Sequence, residues 1–178
     1  MNSDVYIAGG KLWFKKKGAP AYTLFAGVAE AKINTKVEYA KAYDHSTSTK
    51  VLSKQVPKSF DSTLSFKTDD ISPKNIAMLI YGTSSTIALH DDVEAGWVDA
   101  SVTKIEAGKE LLIEGAFKFV SENASGNEMV LEVFNASVSA TGDFNLQSED
   151  VAEIGFEGAV LLTDVGGESK YFDWYVKD

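Results

Sequence analysis

The stretch that most constrains the fold runs from Lys58 to Gly82, KSFDSTLSFKTDDISPKNIAMLIYG, where a period-two pattern turns directly into a short helix. Phe60, Leu64 and Phe66 fall on one face with Ser62 between them, while Asp61, Thr63, Ser65 and Lys67 take the other. That alternation describes a half-buried strand. Ser72 then stands at an N-cap position and Pro73 at the first helical position, where a missing N–H costs nothing. Asp69 and Asp70 lie just upstream, near the positive end of the helix dipole. Ile76, Leu79 and Ile80 share one face, and Gly82 reads as the left-handed residue that closes the helix. The pattern predicts one α-helix over about residues 72–82, too short to stand alone in water and so docked on a sheet.

The rest of the chain alternates at period two. From Val28 to Ala40, the residues Ala29, Ala31, Ile33, Thr35, Val37 and Tyr39 share one face, and Glu30, Lys32, Asn34, Lys36 and Glu38 the other. Residues 1–9 offer few anchors and read as a loose N-terminal arm. KLWFKKK, Lys11 to Lys17, reads as a short strand with Trp13 as its largest apolar group, ended by Gly18 and Pro20. Lys41 to Pro57 is poor in apolar residues and Ser/Thr-rich at its centre, and reads as a long polar loop. Ala95 to Lys104 is expected to form a short strand holding Trp97. Leu111 to Glu122 and Met129 to Ala140 read as a hairpin, with Leu111, Ile113, Phe117 and Phe119 inside. The phase of the second strand slips near Val133, as a β-bulge would cause. Ile154, Phe156, Val160 and Leu162 mark the next strand, Gly166-Gly167 a turn, and Phe172, Trp174 and Val176 the last strand. The expected fold is mainly β, an antiparallel β-sandwich or rolled barrel with one flanking helix, in a single domain over residues 1–178.

Composition narrows the function. The chain has no Cys, which removes disulfides, thiolate catalysis and thiolate metal sites together. Every basic residue is Lys, so the bidentate reader of guanine and phosphate is missing and sequence-specific nucleic-acid binding is not expected. Residues 1–80 carry 12 Lys against 7 acids (+5), whereas residues 81–178 carry 5 Lys against 19 acids (−14), which together give the net −9. Such opposed halves suit association through unlike surfaces. No apolar run reaches the roughly 18 to 20 residues of a membrane span, and the N-terminus lacks a signal-peptide pattern, so the chain is expected to begin in a cytoplasm, off the membrane.

Materials for catalysis are poor. The only histidines are His45 and His90, and there is no nucleophile elbow, P-loop or dinucleotide fingerprint. His90-Asp91-Asp92 is the one metal-like cluster, but three adjacent residues do not converge on one ion unless the backbone curls. Neither an enzyme nor a metal or cofactor is expected. A monomeric β-sandwich module for carbohydrate or peptide would use Trp13, Trp97 and Trp174 as a platform, yet Trp13 and Trp174 sit on alternating strands, where core packing is the commoner use.

The string Lys67 to Gly82, KTDDISPKNIAMLIYG, resembles the strand-to-helix segment of major tail tube proteins of long-tailed bacteriophages, in which the helix reads like N-[IL]-A-x-[LI]-x-G. The preceding strand, polar segment and returning strand are also similar, so the resemblance covers about the first half of the chain. It implies a tail-tube-like sandwich, six copies of which close into a ring by edge-to-edge strand pairing, with rings stacking into a virion tail tube assembled in the host bacterial cytoplasm. Tail terminator, tape measure and tail-tip proteins would be partners, and DNA would pass through without specific binding. On this reading Tyr43, Asp44, His45, Lys50 and Lys54 are candidates for ring-to-ring contacts, and Glu30, Glu38, Glu128 and Glu132 for the lumen. A contractile-tail or type VI secretion-like tube shares this architecture.

Overall fold

The computed structural model describes residues 9–44, 51–88, 101–122, 128–141 and 153–177. In chain order its elements are β1 (Lys11–Lys16), β2 (Thr23–Phe25), β3 (Val28–Asp44), β4 (Val51–Thr68), α1 (Pro73–Leu79), β5 (Thr83–Ala88) and β6 (Ser101–Glu106). There follow β7 (Ile113–Glu122), β8 (Glu128–Thr141), β9 (Ile154–Val160), β10 (Thr163–Val165), β11 (Glu168–Lys170) and β12 (Phe172–Val176). The fold is mainly β and antiparallel with one short helix, as the alternation predicts. The main sheet runs β2-β1-β7-β8-β9-β4-β3, with β12 also paired to β8, while β5–β6 and β10–β11 are separate hairpins.

The sheet folds over so that its two ends face each other. Phe25 on β2 meets Phe66 on β4 edge-on, ring centroids 5.1 Å apart, and meets Phe156 on β9 at 5.8 Å. Phe66 stacks on Phe156 at 5.1 Å and also touches Phe117 on β7, which in turn packs on Phe14 of β1. All five rings are buried, and Leu12, Leu64, Val133, Ile154 and Val160 complete the layer between the sheets. The alternating residues point inward here because a one-residue slip would turn each ring out to water. The turn that carries the chain from β2 to β3 is pinned to the end of β4, where Thr68 Oγ1 donates to the Ala26 carbonyl at 2.8 Å and Asp69 N–H to the Gly27 carbonyl at 2.9 Å.

Helix α1 begins as its sequence announces. Ser72 has extended backbone and its hydroxyl accepts from Asn75 N–H, with Pro73 at the first helical position. Its end differs from expectation. Gly82 N–H donates to the Ala77 carbonyl at 2.7 Å and Tyr81 N–H to that of Met78 at 3.3 Å, the paired bonds of a Schellman ending. The left-handed position therefore falls on Tyr81, at φ 52°, and not on Gly82. Gly82 is required for another reason, since a Cβ there would collide with the Glu106 carbonyl oxygen of β6. The packing face is shifted as well: Asn75 and Ala77 are buried, and Met78 and Leu79 pack on the core beside Tyr81. Asn75 holds the approach to the helix by donating to the Asp70 carbonyl and carboxylate at 2.9 and 3.1 Å.

Several other boundaries move. The expected polar loop Lys41 to Pro57 is not a loop where it is described, since residues 41–44 continue β3 and residues 51–57 belong to β4. Leu111, expected inside, is 83% exposed because the chain before β7 is tied to the helix end by Gly108 and Glu110 N–H bonds to Ile80 and Tyr81 and leaves the sheet there. Leu162 lies beyond the end of β9 and is also exposed. Trp13 sits on the outer face, the inward positions of β1 being Leu12 and Phe14. Strand β6 starts at Ser101, and Trp97 and His90-Asp91-Asp92 lie outside the described residues, as do residues 1–8. The bulge near Val133 is present, with Phe117 opposite Val133 but Gly115 opposite Ala136.

Two substitutions test this packing. Phe66→Ala empties the centre of the aromatic layer and is expected to cost about 3–5 kcal/mol in chemical denaturation. Gly158→Val places a side chain where the Ser137 carbonyl lies, and is expected to lower the melting temperature sharply, while Leu111→Ser leaves it nearly unchanged.

Candidate assembly surfaces

Strands β3 and β4 outrun the sheet they belong to. Strand β9 pairs with β4 only between Thr63 and Thr68, so beyond that point, among the described residues, β3 and β4 are strand-paired only with each other and run on as a two-stranded arm. Along the arm Val37 lies opposite Phe60, Tyr39 opposite Pro57, Lys41 opposite Gln55 and Tyr43 opposite Leu52, so the apolar pairs on this face are interrupted once by a polar one. These pairs continue the face that carries Ile33 and Leu64 into the core, because β3 alternates without interruption from Glu30 onward and both later bulges fall in β4. Val37, Tyr39, Tyr43, Leu52 and Phe60 are between 36% and 46% exposed, and Val56 on the opposite face is 43% exposed. An isolated two-stranded hairpin is marginal in water, and a stripe of exposed large apolar side chains marks an interaction surface.

Strand β3 is also an edge. Among the described residues it pairs only with β4, so its outward N–H and C=O groups from Val28 to Lys41 form an open template for another strand. The opposite edge of the sheet, β2, is only three residues long.

The outer face of the β8-β9-β4-β3 layer has a different character. It presents Ser137, Ser139 and Thr141 from β8, Glu157 from β9, Ser59, Asp61, Thr63, Ser65 and Lys67 from β4, and Glu30 to Glu38 at alternate positions of β3. The charges are matched locally: Glu30 pairs with Lys32, Glu38 with Lys36 at 3.4 Å, and Lys67 with Glu153 at 3.4 Å. The hydrogen bond and charge of Lys32 hold the Glu30 carboxyl below its ordinary range. This surface is wet, hydroxyl-rich and nearly neutral.

The other layer carries an aromatic and basic outer face. Trp13 lies between Leu24 and Lys118, and Lys118 faces Glu132, which faces Asp173 on β12. The Tyr22 ring lies near two ammonium groups, Lys118 at 4.7 Å and Lys15 at 5.0 Å from its centroid, and its hydroxyl donates to Glu132 at 3.3 Å. Burial, the Glu132 charge and that hydrogen bond push the Tyr22 phenol up to about 12.

Between the two layers the sandwich opens into an apolar cleft of about 320 Å³, lined by Leu12, Ile33, Leu64, Leu131, Met129 and Trp174, with Glu30 and Lys32 also among its lining. Trp174 is 49% exposed, although it lies on the inward face of β12 opposite Leu131.

The residues singled out in the sequence separate accordingly. Tyr43, Asp44 and Lys54 come together near the far end of the arm, while His45 and Lys50 lie outside the described residues. Glu30 and Glu38 share the hydroxyl-rich face, whereas Glu132 lies on the aromatic one and Glu128 opens β8 opposite Glu122. The apolar stripe of the arm, the Tyr22 cluster and the cleft were missed. For the arm the signal was broken, because Lys41 interrupts the alternation between Tyr39 and Tyr43 and places alanines on the polar face. Among the described residues no group of three or more His, Asp or Glu could hold a metal ion, and no helix is long and apolar enough to cross a membrane.

Comparison with known proteins places the first half of the chain. The family model described as Protein of unknown function UCP028589 matches residues 5–102, which span β1 to β5 and the first two residues of β6 and include the arm and the helix. The chain belongs to that family. No curated protein matches. Among solved structures, a chain of the cryo-EM structure of the anti-feeding prophage (AFP) baseplate, 6-fold symmetrised, is similar over 98% of this chain and 97% of its own, at 10% identity and a TM-score of 0.48.

The Tyr22 cluster has a pH signature. Its proton is held more tightly in the folded chain than in the unfolded one, so its contribution to stability is complete below about pH 10 and is lost as the pH rises through about 12. In ultraviolet titrations, the phenolate signal that Tyr22→Phe removes is expected near 12, and Glu132→Gln moves it down without restoring the ordinary value, since burial persists. A Tyr22 signal already at the ordinary phenol value would contradict the geometry.

Proposed function

We propose that this chain is a structural virion protein that self-assembles into hexameric rings, stacked into the tube of a phage tail through which DNA is ejected. The observation that carries the reading is the open β3 edge running on into a projecting arm with an exposed apolar stripe. A domain that exposes both without a partner is exposed to indiscriminate pairing, whereas one that closes a ring uses them. Strand addition at an edge supplies main-chain hydrogen bonds whatever the side chains, and the side chains set the register. The tail-tube-like strand-to-helix segment, Lys67 to Gly82, supports the same reading.

The hydroxyl-rich outer face is suited to the lumen. A duplex is held by basic groups that displace its counterions, so a wall whose lysines are already paired with carboxylates offers it little grip. Glu30 and Glu38 keep their place as lumen candidates, acting by neutralising Lys32 and Lys36 more than by repelling phosphate. Glu132, set among Tyr22, Lys118 and Asp173, suits a surface turned away from the channel. The function is passive conduction, without catalysis or cofactor. Terminator, tape measure and tail-tip proteins would be the partners at the ends and inside the tube. A contractile-tail or type VI secretion-like tube would use the same surfaces.

Negative-stain electron microscopy with light scattering over a concentration series tests the proposal. Rings with six-fold averages or uniform hollow tubes are expected. A monodisperse monomer at every concentration, in the presence of preformed tube fragments as seeds, would overturn it.

A further inference from the structure

We propose that Lys17, Glu114 and Asn135 form a self-linking site, at which the Lys17 amine condenses with the Asn135 carboxamide, releases ammonia and leaves an amide bond between the end of β1 and β8. The site is independent of the tube reading. One carboxylate oxygen gathers both partners: Glu114 Oε1 accepts from Lys17 Nζ at 2.7 Å and from Asn135 Nδ2 at 2.7 Å. An amine, a carboxamide and a carboxylate that touches both are the components of an acyl transfer, with the amine as nucleophile and the carboxylate as proton carrier.

Local structure holds the three groups in place. Lys17 N–H donates to the Glu114 carbonyl at 2.8 Å, so the main chains are paired where the side chains meet. Gly115 lets β1 lie this close, since a Cβ there would collide with the Lys15 carbonyl oxygen. On the other side, the β8 bulge passes from Val133 opposite Phe117 to Ala136 opposite Gly115 and takes Asn135 out of the regular ladder. Bulges re-aim side chains in this way. Asn135 is fixed from behind as well, its carbonyl accepting from Leu161 N–H at 2.9 Å. Lys16, the next ammonium along the chain, is engaged with Glu110 instead. The Glu114 side chain is sheltered, at 12% exposure, while that of Lys17 reaches water.

The step balances without a co-reactant. Lys17 first loses its ammonium proton, and the neutral Nζ attacks Asn135 Cγ, forming the Nζ–Cγ bond as the Cγ–Nδ2 bond breaks. Glu114 takes one proton from the attacking Nζ and passes it to the departing Nδ2, which leaves as ammonia. The hydrogen bonds from Lys17 and then Asn135 hold the Glu114 carboxyl below its ordinary range, so it is ionised and able to accept. A neutral amine is a minor form of lysine at neutral pH, so linking is slow there and quickens in alkali. It is a single event within the chain, and in a protein without cysteine it ties β1 to β8 across β7 where no disulfide can.

Mass spectrometry of the purified chain after incubation at about pH 9.5 tests the proposal. The intact mass is expected to fall by one ammonia, and a digest to contain a peptide in which Lys17 is joined to Asn135. The linked chain keeps a closed loop and is expected to run faster in a denaturing gel than Lys17→Arg, which retains the exposed charge but cannot link. Glu114→Gln, checked by circular dichroism to be folded, is expected to slow linking at least about a hundredfold. An ammonia loss that persists in Lys17→Arg would belong to an asparagine closing on its own backbone and would overturn the proposal. So would a folded chain that keeps its full mass through prolonged incubation.

Discussion

The aromatic layer centred on Phe66 is the interaction on which the rest of the structure depends. A seven-strand path left flat would expose one apolar face to water along its length, and Phe66 prevents this by touching rings from three other strands at once. Phe25 closes the arrangement, since it comes from the short edge strand at one end of the sheet and packs on β4, next to the other end. The fold-over is thus fixed by ring contacts, and the pinned turn after β2 sets where the chain crosses between layers. Buried rings in edge-on and stacked arrangements gain beyond their area alone. Once the layers are clamped, the far ends of β3 and β4 have nowhere to go but outward.

That constraint links core to surface. The residues of β4 from Thr63 to Thr68 are held between β3 and β9, whereas those from Val51 to Ser62 are held by β3 alone. One strand pair therefore spends one end on the core and the other on solvent, the core-side face carrying apolar pairs interrupted by Thr35 with Ser62 and Lys41 with Gln55. Phe60 marks the passage, partly exposed yet packed on Tyr171 at 4.9 Å, whose hydroxyl reaches the Phe60 carbonyl at 3.4 Å. The large apolar side chains beyond it, Tyr39, Tyr43 and Leu52, are between 41% and 46% exposed. Shortening the arm would leave untouched the ring contacts that hold the domain.

How much of this could be read from the sequence depended on whether the signal was local. The strand holding Leu64 and Phe66, the start of the helix at Ser72-Pro73 and the bulge after Val133 were legible, because alternation, capping chemistry and phase slips are written in neighbouring residues. The end of the helix was misread, since Gly82 is there for contact with β6 and Tyr81 bears the left-handed turn, a distinction only tertiary packing makes. Trp13 was misplaced because so short a strand leaves its phase open between Trp13 and the pair Leu12 and Phe14. The arm was taken for a loop on composition. A hairpin that leaves the core loses the apolar partner that would make its pattern clear, so it looks polar even while its ladder persists. The cleft joins residues from both ends of the chain, and no local rule points to it.

Opposed surfaces on one sheet also explain why the charge halves differ. Half of the lysines of the first half lie on β3 and β4, where several are matched by adjacent carboxylates on the hydroxyl-rich face. The acids of the second half have fewer lysines to meet them, so that half carries the chain's net negative charge. The same period-two alternation that turns Ile33 and Leu64 toward the core sets these lysines and their carboxylate partners together on the outer face, so one pattern both builds the apolar layer and neutralises the surface opposite it.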